Sequence, residues 1–203
     1  MVTKIMWSIV AVVTLVGATA ANAENWNLPV AADAQAVKMA FFLDTTWHTV
    51  EGSVKELSGD IRLANPKNPQ TIAATITIPV SALDTDSASR DEEMRDSMEA
   101  GRFPSIRVDM PQISPSCEER QLADGVACTY ATKGTVTIRD VTLPIAMSGG
   151  IRRGDAGAIL VDGTTQLDWS QFGVKDPSIL IAKVDEQVKI EFEITLPRKK
   201  TAQ

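Results

Sequence analysis

The sequence predicts a mainly β protein, an antiparallel sheet of about eight strands with one short helix. Three observations carry that reading. Apolar and polar residues alternate at period two through several segments. Clusters of Pro, Gly, Asn and Asp separate those segments. One stretch alone combines helical spacing with helix start and stop signals. Successive side chains of a strand point to opposite faces, so alternation means one buried face and one wet face.

The elements follow in chain order. Strands are expected near 36–46 and 50–63; in the first, Phe41 and Phe42 are adjacent, so one faces out or the strand carries a bulge. "TIAATITIPV" sets Ile72, Ala74, Ile76 and Ile78 against Thr71, Thr75 and Thr77. "SRDEEMRDSMEA" is the predicted helix. Ser89 and Glu92 have capping-box spacing, and Asp91, Glu92 and Glu93 suit the positive end of the dipole. Gly101 and Pro104 end it, and Met94 and Met98 share a face. "SIRVDM" aligns Ile106, Val108 and Met110; "VTLPIAM" aligns Val141, Leu143, Ile145 and Met147. Strands are expected near 130–139 and 157–168, and "VKIEFEITL" places Val188, Ile190, Phe192, Ile194 and Leu196 opposite Lys189, Glu191 and Glu193. Such a set fits a sandwich or a closed barrel. Closure removes exposed edges, and an eight-stranded barrel holds either packed side chains or one small ligand.

The N-terminus reads as a secretory leader. Lys4 precedes an apolar run from Ile5 to Ala18, and Ala21-Asn22-Ala23 has the form of a cleavage site. The expected division is a leader at 1–23 and one domain at 24–203, exported to the periplasm. The formal net charge is -6, with no basic stripe for a phosphate backbone, so nucleic acid is not an expected partner. The tail "PRKKTAQ" suits a solvated end or a transient membrane contact. Self-association is neither required nor excluded. Cys117 and Cys128 are the two cysteines. In an oxidising compartment an even pair usually bridges, and the spacing matches no zinc pattern, so a structural disulfide is expected over a redox or metal pair.

Several phrases in a fixed order resemble the YceI-like family. They are "TWHTVEGSVKELSGDIRL", "IPVSALDTDSASRDEEM", "GRFPSIRVDM", "KGTVTIRDVTLPIAM", "LDWSQFGV" and the closing "VDEQVKIEFEI". The resemblance spans nearly the whole chain after the leader. It implies a periplasmic lipocalin-like β-barrel that shelters an apolar, isoprenoid-type lipid such as a polyprenyl or quinone-like molecule. Asp140 stands where the family commonly has Gly, and Trp169 where a basic residue is usual.

A long apolar ligand needs a dry cavity with few polar groups, and aromatic and Met side chains are suitable linings. The candidates are Phe41, Phe42, Trp47, Met94, Met98, Phe103, Ile106, Met110, Trp169 and Phe172; for each one taken singly, ordinary core packing is the expected role before cavity lining. Arg90, Asp91 and His48 are candidate headgroup contacts, with helix capping or a structural hydrogen bond as the alternative roles. No catalytic residue, metal or resident cofactor is expected. His48 is the single imidazole, and there is no nucleophile elbow, zinc-protease motif or phosphate loop. Three roles are therefore weighed: a carrier or store for an apolar lipid; a non-enzymatic module with a side-chain-filled barrel that docks on a membrane or respiratory partner; and, disfavoured by the missing nucleophile–base pair, a lipid-modifying enzyme.

Overall fold

The computed structural model describes residues 24–28, 37–63, 72–117, 121, 125–154, 158–178 and 183–196. The expected leader at 1–23, the expected turn at "ANPKNPQ" and the basic tail fall outside the described residues. The strands are β1 (Glu24–Leu28), β2 (Val37–Thr45), β3 (Thr49–Val54), β4 (Ser58–Leu63), β5 (Ile72–Pro79), β6 (Leu83–Asp84), β7 (Ser105–Ile113), β8 (Cys128–Ile138), β9 (Val141–Arg153), β10 (Ile159–Asp168) and β11 (Val184–Leu196). One helix, α1 (Ala88–Ser97), lies between β6 and β7. All pairings are antiparallel, in the order β1-β4-β5-β7-β8-β9-β10-β11-β2-β3-β6.

The class is as expected; the count of eight is corrected to eleven among the described residues. The predicted strand at 50–63 is two strands, and β1 and the two-residue β6 were not foreseen. The split has a structural reason. β3 lies near one end of the series and β4 near the other, yet only Lys55, Glu56 and Leu57 join them. A connection that short spans at most about 14 Å. The sheet must therefore curl until its two ends approach each other. Leu57 is 1% exposed at this corner, and the Lys55 amide donates to the Ala82 carbonyl at 2.8 Å.

Alternation sets which side of the curl each residue faces. In β11, Phe192, Ile194 and Leu196 are buried while Lys189, Glu191 and Glu193 are exposed. The Phe41–Phe42 ambiguity resolves without a bulge at the pair itself: Phe41 opposes Ile190 and Phe42 opposes Lys189 in unbroken register. The irregularity lies nearer the chain reversal, between Val184 and Val188. Gly52, paired with Phe41, lets that ring lie flat on the strand; a Cβ there would stand 2.1 Å from Phe41 Cζ.

The helix begins differently from the expected capping box. Ser87, not Ser89, is the N-cap, and its side chain makes no cap bond. The Asp91 carboxylate instead accepts from the Thr85 amide (2.9 Å) and the Thr85 hydroxyl (2.7 Å), tying the first turn to the segment before it. The end also falls earlier than Gly101. Met98 is the C-cap, and Glu99 takes the left-handed conformation (φ 52°). Glu99 is held there by Arg139, whose Nη2 donates to its carboxylate at 2.7 Å from the β8–β9 turn.

Candidate functional site

The inward faces of β2 to β11 do not fill the curl. They surround a cavity of about 370 Å³, within the range of small-molecule sites. Its wall is apolar and mostly aliphatic: Ile72, Ala74, Ile76 and Ile78 from β5; Ile106, Val108 and Met110 from β7; Val188, Ile190, Phe192, Ile194 and Leu196 from β11. These are the period-two sets of the sequence. Ile145 and Met147 of β9 join them, whereas Val141 and Leu143 pack against the core without facing the cavity.

The two ends differ. At one end Ile72, Ile113, Ile151 and Ile159 face the cavity, backed by the Cys117–Cys128 disulfide. The expected bridge is thus formed. At the other end the cavity meets α1 and the Val174–Pro177 segment, and here the lining turns polar, with Thr45, Thr85, Arg90, Glu93 and Ser97. Arg90 and Glu93 are the charged residues among those facing the cavity. We call this end the mouth.

Within the apolar part, polar side chains are already occupied. The Tyr130 hydroxyl donates to the Asp162 carbonyl at 3.0 Å, and the Thr165 hydroxyl to the Ala146 carbonyl at 2.7 Å. Buried polar groups satisfied by backbone leave nothing that calls for water in the chamber. Burial, and secondarily the Asp162 charge, push the Tyr130 phenol well above its ordinary value, so it stays neutral. Gly163 makes room for this arrangement; a Cβ there would stand 2.4 Å from Phe192 Cζ and 2.5 Å from Tyr130 Oη.

The sequence candidates divide by geometry. Phe41, Met94, Met98, Ile106, Met110 and Trp169 face the cavity. Trp169 sits in a one-turn helix (Trp169–Phe172) whose start is held by Asp168 accepting from the Ser170 amide (2.9 Å) and hydroxyl (2.6 Å). Those bonds, the Ser170 hydroxyl first, hold the Asp168 carboxyl below its usual range. The Trp169 indole donates to the Asp185 carbonyl at 2.7 Å, which orients the ring.

Four candidates lie elsewhere. Phe42 alternates outward, under the Lys189 ammonium at 5.8 Å. Phe103 sits outside, with the Arg102 and Arg139 guanidinium groups 4.8 and 5.3 Å from its ring centre. Phe172 is 2% exposed but packs in the core beside the cavity. Trp47 is 63% exposed at the β2–β3 turn, because Thr45 rather than Trp47 carries the inward face.

Of the headgroup candidates, Arg90 reaches the mouth. Asp91 is taken up by Thr85, and His48 is exposed outside, its carbonyl accepting from Thr45. Sequence reasoning passed over Glu93 and Ser97. The signal was available: positions 90, 93, 94, 97 and 98 share one helical face. The choice of aromatics and methionines also passed over most of the aliphatic wall, which the alternating strands had already marked.

A curled antiparallel sheet around an apolar chamber, with one helix at its mouth, defines a lipocalin-like container. The chain belongs to the YceI-like domain family, whose model matches residues 30–196. Solved structures with this fold include Burkholderia cenocepacia BcnA, at TM-score 0.63 and 20% identity, covering 78% of this chain and 95% of that one. A polyisoprenoid binding domain from Saccharophagus degradans aligns at TM-score 0.63 and 15% identity, covering 81% and 97%. The Campylobacter jejuni YCEI protein aligns at TM-score 0.56 and 18% identity, covering 74% and 86%. No curated protein matches the sequence significantly.

Proposed function

We propose that this protein binds a long apolar lipid of the isoprenoid type, polyprenyl or quinone-like, in its chamber and carries or stores it in the periplasm. The observation that supports this most is the cavity itself: an apolar wall in which the polar groups inside the chamber, Tyr130 and Thr165, are spent on backbone carbonyls. The related Saccharophagus degradans structure is that of a polyisoprenoid binding domain, which agrees with this ligand class. The leader pattern before Glu24 supports the compartment. The driving force is removal of apolar area from water, about 25 cal/mol per Å². Affinity should therefore rise with chain length and depend little on salt.

We read the protein as a binding protein without catalytic function. The single histidine faces away from the chamber, so a hydrolytic nucleophile there would lack an imidazole base. An empty interior also weighs against the alternative of a side-chain-filled barrel that acts only by docking. Native mass spectrometry of protein purified under mild conditions, followed by organic extraction, is the test. A co-purifying prenyl lipid is the expected result. Protein that emerges empty and takes up neither prenols nor quinones would refute the proposal.

A further inference from the structure

We propose that the mouth is a headgroup site for a neutral hydrogen-bonding group, an alcohol or a carbonyl, and that Glu93 disfavours anionic heads. The inference rests on the lipid reading above and adds the chemistry of the ligand's polar end.

Most of them are already engaged. Tyr130 and Thr165 donate to backbone carbonyls inside the chamber. At the mouth, the Thr45 hydroxyl donates to the His48 carbonyl at 2.7 Å, and the Thr85 hydroxyl to Asp91 at 2.7 Å. Three groups remain, all on α1: Arg90, Glu93 and Ser97. Arg90 is fixed by two bonds to Thr85, from Nε to the hydroxyl at 3.3 Å and from Nη2 to the carbonyl at 2.7 Å. Its Nη1 has no partner among the described residues. The Glu93 carboxylate and the Ser97 hydroxyl make no hydrogen bond or ion pair with the described residues.

The mouth thus offers a pre-oriented donor, an acceptor, and a hydroxyl that can be either. A prenol hydroxyl or a quinone carbonyl can be satisfied by that set. A phosphate head is served less well. It needs several donors, finds one anchored guanidinium and the Ser97 hydroxyl, and brings its charge against Glu93. The nearby charges do not reverse this balance. Asp91 already occupies the start of the helix. Glu92, Arg95, Asp96, Glu99 and Lys175 surround a separate surface recess. Lys183, tied to Thr46 through its amide, is exposed, where its charge is screened by salt. This arrangement also accounts for Arg90, Glu93 and Ser97 sharing the cavity-facing side of α1 with Met94 and Met98.

The test is native mass spectrometry of the delipidated protein with an equimolar mixture of octaprenol and octaprenyl monophosphate. The wild type is expected to load octaprenol in preference. Glu93→Gln should shift the loading ratio toward the phosphate by about two- to fivefold, the scale of a rim charge, and Glu93→Lys further. Glu93 is exposed, so these variants should keep the wild-type thermal midpoint, measured in parallel. A wild type that favours the phosphate, or a ratio unmoved in both variants, overturns the inference while leaving lipid binding standing. Uptake of neither lipid by the wild type overturns the inference together with the reading beneath it.

Discussion

Removing the Cys117–Cys128 bridge should destabilise the protein without emptying its chamber. The bridge spans a sequence separation of 11. In the chain-entropy model a loop of that length restricts the unfolded ensemble by about 9 cal/mol/K, which is about 3 kcal/mol at 25 °C. For a domain of this size each kcal/mol moves the melting midpoint by about 2–4 °C, so a drop of about 6–12 °C is expected. The native geometry does not depend on the bridge alone. The Ser116 amide donates to the Thr129 carbonyl at 2.7 Å, and Pro115 forms a β-bridge with Tyr130. Cys128 pairs in register with Ile151 and packs against it. The loss should therefore fall on the unfolded state. The assay is calorimetry of three samples: oxidised wild type, wild type with thiols confirmed reduced, and Cys117→Ala/Cys128→Ala. A midpoint shift below about 2 °C in both reduced and substituted protein would refute the entropic reasoning. So would loss of the native near-ultraviolet spectrum at 25 °C, because it would show that the bridge builds the fold rather than restrains the unfolded chain.

Two further predictions test the chamber directly. Ala74 faces the cavity between Ile61 and Met110 in register, so Ala74→Phe should push its ring into empty space. Stability should change by less than about 1 kcal/mol, against the about 1–3 kcal/mol usual for overpacking a filled core. Displacing even two methylenes of a bound chain should weaken lipid uptake by about tenfold or more, read by titration calorimetry. A strongly destabilised variant would mean that the interior is solid. Tyr130 is the single tyrosine and its folded-state pKa is raised, chiefly by burial. The unfolded chain ionises near 10.0 while the folded protein holds the proton. The Tyr130 contribution is therefore intact below that pH and is lost as pH rises through the interval above it. Absorbance titration should show no phenolate near 10.0 until unfolding begins; an ordinary reversible titration there would contradict the burial of Tyr130.

Much of the wall was legible from the chain. Strict alternation in β5, β7 and β11 marks Ile76, Val108 and Ile190 as inward, because a strand has only two faces. The same rule failed where the backbone turns. Trp47 is large and apolar, but it sits at a hairpin reversal, where period two no longer applies and Thr45 supplies the last inward side chain. Phe103 precedes a proline and rests between two arginines, one of them donated by the distant β8–β9 turn. That neighbour is remote in sequence, so no local pattern announces it. The helix was recognised from its acidic start and its Met spacing, yet its true anchor is Thr85 on Asp91, a bond across the preceding turn rather than a capping box.

The chain alone determined the β class, most of the inward residue sets, the helix that closes on Met94 and Met98, and the pairing of its two cysteines. Each depends on local geometry, on residue chemistry or on a two-membered choice. Tertiary structure decided whether those inward sets meet or stand apart. Side-chain alternation is the same for a packed barrel and a hollow one; the difference lies in the curvature that the three-residue corner between β3 and β4 imposes on the whole sheet. Only that curvature leaves a cavity of about 370 Å³ and brings Arg90, Glu93 and Ser97 to its rim.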